Sequence, residues 1–147
     1  MCLDRHHSSP TELNIEAPAQ TRPAIVQWEP ADQQTKSAWN NNTDATEDGA
    51  CCVALAAVEL LEGMVAVRRA ENGTGADYYI APANVQVDDL ENLLRLEISG
   101  IDRATHALVS KRLRQKVAQA ERGKSNLPAI AAVVGFSCSC VSIKLVE

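Results

Sequence analysis

The chain has 147 residues, 46% of them hydrophobic and 22% charged, close to the globular average, which excludes wholesale disorder, collagen-like repeats and coiled coils. A net charge of −5, with aromatic residues limited to two Trp, two Tyr and one Phe, argues against broad attraction to nucleic acid and against base-stacking platforms. No stretch approaches the ~20 apolar residues that cross a bilayer, and five cysteines in apolar settings read as reduced thiols, so a cytoplasmic protein without membrane contact is expected.

Residues 1–24 mix His, Ser, Pro, Thr and Ala without a sustained period, which predicts a flexible tail outside the core. Residues 25–147 are then expected to form one domain. Residues 25–30 fit a short strand or a docked arm, and a polar run over 31–43 leads into a helix. That helix is the best-marked element: Cys51, Ala54, Leu55, Val58 and Leu61 recur at spacings of three and four, and Gly63 follows as a stop, which predicts a helix over about 45–62. Residues 64–68 and 77–80 read as two strands around the turn-forming 71–75, and a polar connection through Asp88 and Asp89 follows. Over 93–99 the chain alternates, with Leu94, Leu96 and Ile98 on one face and Arg95, Glu97 and Ser99 on the other.

A long helix is predicted over 102–122, with His106, Val109, Leu113, Val117 and Ala120 as one stripe. Residues 129–134 are continuously apolar, as in a strand covered on both faces, and 141–146 reads as a last, edge strand. The order αβββαβ plus an edge strand predicts an α/β fold, a three-layer sandwich around a central mixed sheet. The crossover through the long helix should give a parallel strand pair.

Charge is unevenly placed. Residues 1–50 hold eight acids against three bases, whereas residues 102–124 hold seven bases (Arg103, Lys111, Arg112, Arg114, Lys116, Arg122 and Lys124) against Asp102 and Glu121. An acidic domain can still present one basic face. At about 100° per residue, Lys116 lies about 60° from the centre of the apolar stripe, and Arg112 and Gln119 share that flank, so these three are candidates to contact nucleic acid. Lys111 and Arg114 should face water. Equally, the bases fit a solvated helix face.

Three carboxylates stand out. Asp77 opens a strand after a glycine turn, Glu97 sits within a strand on its polar face, and Glu47 lies four residues before Cys51, on the expected sheet-facing side of the first helix. Together they have the ligand chemistry of a Mg²⁺-dependent phosphodiester hydrolase. Plainer roles are open to each: Asp77 as a turn cap, Glu97 as a partner of Arg95 or Arg103, and Glu47 as the far end of a capping box begun at Asp44. The three histidines make no ligand set at metal spacing, no His is expected beside Cys138 and Cys140, and zinc through Cys51, Cys52, Cys138 and Cys140 is disfavoured by the adjacency of the first two.

With Glu47, Asp77 and Glu97 on these elements, residues 35–147 resemble the PD-(D/E)XK, restriction-endonuclease-like superfamily. Residues 45–50, 73–78 and 95–100 also look like a small bacterial group on that fold. The resemblance implies Mg²⁺ or Mn²⁺ held by Asp77 and Glu97 with Glu47 assisting, water as nucleophile, and DNA or RNA as substrate. It also departs from the family, because Ser99 stands where the motif Lys would orient the water and supply positive charge. Lys116 on the following helix is the candidate replacement, with Lys111 and Arg95 behind it. The expected function is a metal-dependent nuclease with Asp77, Glu97, Ser99 and Lys116 at its centre, as a homodimer or with a protein partner. The alternatives are a catalytically inactive binding module on the same fold, and a generic α/β protein without a nucleic-acid role.

Overall fold

A computed structural model describes residues 1–71, 75–84, 93–122 and 125–146. In chain order these form a 3₁₀ turn (Leu3–Arg5), β1 (Thr11–Ala17), β2 (Gln20–Val26), α1 (Gln33–Ala38), α2 (Asn42–Glu62), β3 (Met64–Arg69), β4 (Tyr78–Pro82), β5 (Leu94–Ile101), α3 (His106–Glu121), β6 (Ala129–Gly135) and β7 (Cys140–Val146). The strands make one seven-stranded mixed sheet in the order β2-β1-β7-β6-β5-β4-β3. Asp88, Asp89 and Lys124 lie outside the described residues.

The expected parallel pair forms across α3, with Glu97 of β5 beside Ala131 of β6, as a helical crossover connection allows. Around it the sheet is divided by strand parity. Leu96, Ile98, Ile130, Ala132, Val134, Val141 and Ile143 pack with Ala50, Ala54, Ala57 and Val58 of α2. The alternate residues Ala129, Ala131 and Val146 pack with Val117 and Ala120 of α3, and Val133 and Cys140 with Val109. The two long helices therefore cover opposite faces, which makes β6 apolar on both sides and wholly buried.

Two expectations are corrected. Residues 1–24 are not a tail. The β1–β2 hairpin joins the sheet through parallel pairing of Asn14 with Cys140 and Glu16 with Ser142, and Leu3, Leu13 and Ile15 are buried. Alternation in Thr11–Ala17 buries Leu13 and Ile15 on one face, a short period-two signal that the polar composition around it masks. Consequently β7 is not an edge strand: it lies between β1 and β6, and the edges are β2 and β3. The following arm is tied down as well, since Asp4 accepts hydrogen bonds from the Trp28 indole and from the Ala31 amide, the latter at 2.7 Å.

Helix ends follow their chemistry. The side chain of Asn41 caps α2 by accepting from Thr43 and Asp44 amides, so that helix starts three residues earlier than its apolar stripe predicts and the Asp44–Glu47 capping box is not used. Gly63 ends it in the left-handed region at φ 67, its amide reaching Glu59 O at 2.9 Å. Thr105 caps α3 through Leu108 N–H. No helix among the described residues is long and apolar enough to cross a membrane.

Candidate active site

β5 is longer than its outer neighbour. β4 pairs with it only from Leu94 to Leu96, so among the described residues the outer edge of Ile98–Ile101 is left without a strand. Asp77, the residue before β4, closes the first step of that gap. Its amide donates to Leu96 O at 2.9 Å and its Oδ2 accepts Ile98 N–H at 2.6 Å, so a side chain continues the ladder where the strand stops. The register of the antiparallel pair Tyr78–Leu96 places Asp77 opposite Glu97.

Beyond Asp77 the exposed strand edge forms the floor of a cleft of about 640 Å³ between α2 and α3. Glu47, Ser99, Arg112 and Lys116 line it with Asp77, so five of the candidate residues share one cleft, but Asp77, Glu97 and Glu47 are not a group whose donor oxygens all lie within 4.8 Å of one another among the described residues. Its width depends on how closely α2 sits on β5. A Cβ on Gly100 would lie 2.6 Å from Thr46 O and 2.9 Å from the Ala50 Cβ, a contact that only glycine permits. Glu47 itself is exposed rather than sheet-facing, because the buried stripe of α2 runs through Thr46, Ala50, Ala54 and Ala57.

Glu97 lies behind this lining. It is 1% exposed, and neither carboxylate oxygen accepts a hydrogen bond from any described residue. Its nearest counter-charge is Lys116, whose Nζ stands 3.8 Å from Oε2. Burial pushes the Glu97 carboxyl above its usual range, Lys116 and Arg95 pull it down, and Asp77 adds to the rise. Arg95 is turned away from a role in the cleft: also buried, it donates through Nε to Leu127 O at 3.1 Å and through Nη2 to Ala120 O at 3.4 Å. Arg112 Nη1 donates to Ser99 Oγ at 3.3 Å. Gln119 is exposed on α3 and does not line the cleft, and Lys111 and Arg114 face solvent as expected.

Sequence reasoning missed Arg69 of β3 and Cys51 of α2, which also line the cleft. Burial, reinforced by Asp77 and Asp48, pushes the Cys51 thiol up to about 11, so it is a neutral wall rather than a nucleophile. Asp102, also in the lining, is held by Arg5 Nη1 at 3.3 Å and by His6 Nε2 at 3.0 Å. No local signal announces these residues, because they meet only through the sheet order.

A second grouping was also missed. His106, Cys138 and Cys140 approach one another at the start of α3 and the β6–β7 turn, which corrects the expectation that no histidine stands beside those cysteines. Cys51 and Cys52 are not part of it. Comparison with protein-family models, curated proteins and solved structures returned no match.

Proposed function

We propose that the cleft between α2 and α3 is a metal-assisted phosphodiester-hydrolysing site of the restriction-endonuclease-like kind, acting on DNA or RNA. In this reading α2, β3, β4, β5, α3 and β6 are the αβββαβ core of a three-layer sandwich. The observation that carries the proposal is Glu97: a buried carboxylate whose two oxygens are free of hydrogen bonds from any described residue is expensive to retain, and it stands opposite Asp77 beside the cleft that Lys116, Arg112 and Ser99 line. An all-oxygen set of Asp77, Glu97 and Glu47 suits a hard divalent cation, Mg²⁺ or Mn²⁺. When bound, such an ion polarises a phosphoryl oxygen and lowers the pKa of a water.

The chain's own groups supply the rest. Arg112 and Lys116 offer positive charge to phosphate oxygens from one helix face. Lys116, 3.8 Å from Glu97, stands in for the lysine that the motif lacks at Ser99, while Ser99 holds the Arg112 guanidinium in place. The five cysteines are free, in keeping with a reducing compartment such as the cytoplasm.

One observation favours the inactive binding module instead: Lys116 already neutralises Glu97, and Glu97 does not line the cleft. Calorimetric titration of Mn²⁺ into wild type, Glu97→Ala and Asp77→Asn separates the two. The nuclease reading expects saturable binding that both variants lose, and Mn²⁺-dependent cleavage of DNA or RNA that Lys116→Met abolishes. Folded wild type that neither binds Mn²⁺ nor cleaves any polymer, yet retains salt-sensitive binding lost on replacing Arg112 and Lys116, establishes the binding module.

A further inference from the structure

We propose a second, thiolate-containing metal site for Zn²⁺ or a cation of like softness, formed by His106, Cys138 and Cys140 on the far side of the sheet from α2. One donor atom from each residue lies within 4.8 Å of the other two, and the two sulfurs are 3.2 Å apart. Zn–S bonds of about 2.3 Å and Zn–N bonds of about 2.0–2.1 Å separate tetrahedral donors by about 3.5–3.8 Å, so shifts of about 1 Å bring all three onto one ion. Sulfur and imidazole donors select a borderline or soft cation and disfavour Mg²⁺, which separates this site chemically from the oxygen-lined cleft.

The surrounding structure builds the site. The β6–β7 turn has Ser139 in the left-handed region at φ 49, unusual for a residue other than glycine, between the two cysteines. His7 fixes that turn: its Nε2 lies 2.7 Å from Phe136 O and 3.0 Å from Ser139 Oγ. A Cβ at position 135 would stand 2.6 Å from Cys138 Sγ, so Gly135 leaves the space this sulfur occupies. Glu16 Oε1, 3.4 Å from His106 Nδ1, is placed to orient the imidazole, and Ser142 Oγ donates to Glu16 Oε2 at 2.7 Å. With Nε2 as the ligating nitrogen, Glu16 stands behind the histidine, the usual outer-shell arrangement at zinc. Cys140 is buried while the His106 side chain is 66% exposed, so an ion can enter from solvent. Three protein donors leave a fourth position for water.

The test uses the full chain, stripped of metal and kept reduced with a phosphine, titrated with Co²⁺ as a spectroscopic probe. One equivalent is expected to give intense tetrahedral visible bands and a near-ultraviolet thiolate charge-transfer band, both abolished by Zn²⁺. Competition with a chromophoric chelator should show Zn²⁺ affinity lowered at least about 100-fold by Cys138→Ser, beyond the about 10–100-fold typical of outer-shell changes. His106→Gln, at an exposed position, should keep the charge-transfer band but weaken binding; it carries the test if Cys138→Ser does not fold. Glu97→Gln should leave the cobalt spectrum unchanged. Folded, reduced wild type without a thiolate band at one equivalent overturns the proposal. So does unaltered affinity in His106→Gln, or a band lost in the Cys51→Ser/Cys52→Ser double variant and kept in Cys138→Ser.

Discussion

Lys116→Met isolates the buried ion pair. Glu97 is 1% exposed and Lys116 20%, with Nζ 3.8 Å from Oε2. Removing one partner of a fully buried pair costs about 3–5 kcal/mol, and the partial exposure and length of this contact bring the expected loss to about 2 kcal/mol near neutral pH. The loss should depend on pH. Burial raises the Glu97 carboxyl above its unfolded value near 4.5, against the pull of Lys116 and Arg95. The native state therefore holds this proton more tightly than the unfolded chain. Its contribution to stability is full below the unfolded value and falls as pH rises through the native one. Without the ammonium that native value rises further, so the deficit of the variant should be smaller at a pH where Glu97 is protonated in both proteins and larger at one where it is ionised in wild type. Urea melts of wild type and variant at both pH values, with unchanged m, measure it, and the melting temperature at the higher pH should fall by about 4–8 °C. Introduced into a Glu97→Gln background, Lys116→Met should cost the same at both pH values. A Lys116→Met deficit that is the same at both pH values in wild type, or one that still changes with pH in the Glu97→Gln background, would refute the ion-pair argument.

Gly100→Ala should lower stability by about 2–3 kcal/mol, because its Cβ would meet the Thr46 carbonyl at 2.6 Å; an unchanged urea midpoint would show that α2 does not rest on β5. Leu13→Ala, at a residue 2% exposed, should cost about 3 kcal/mol, and a fragment lacking residues 1–26 should lose cooperative melting by circular dichroism. A sharp melt by that fragment would remove the hairpin from the core. Ser99→Ala should stay within about 0.5 kcal/mol of wild type, since among the described residues its hydroxyl is engaged only at the exposed Arg112; a larger loss in a urea melt would mean that it anchors β5.

What could be read from the chain divides along physical lines. The α2 and α3 stripes and the alternation in β5 are local periodicities, and each of these elements forms close to its expected span. The same alternation correctly separates Arg95, Glu97 and Ser99 from Leu96 and Ile98. It does not show that the polar face is itself covered, which depends on α3 crossing over it. The hairpin escaped because two buried side chains in β1 are a weak signal until a partner strand exists, and that partner, β7, is remote in sequence. The cleft residues Asp77, Ser99, Arg112 and Lys116 were legible from position on their elements, whereas Gln119 sits one turn too far along α3 to reach it. The helical period places His106 at the head of an apolar stripe; its proximity to Cys138 and Cys140 depends on the turn that reverses the chain after β6.

The parallel pairing of β1 with β7 also fixes the order in which the molecule can be completed. Glu16 and Ser142 are 126 positions apart, and closing a loop of that length costs about 4 kcal/mol of chain entropy before any contact rewards it. While β7 is still unmade, Leu13 and Ile15 have no sheet to join, and the hairpin carries an exposed apolar face during synthesis. The half of the sheet built from β3 to β6 is assembled from nearer neighbours and is free to form first. Folding should therefore end with the earliest-made strands docking last, a step whose rate is governed by topology and in which the nascent chain is most open to chaperones and to aggregation.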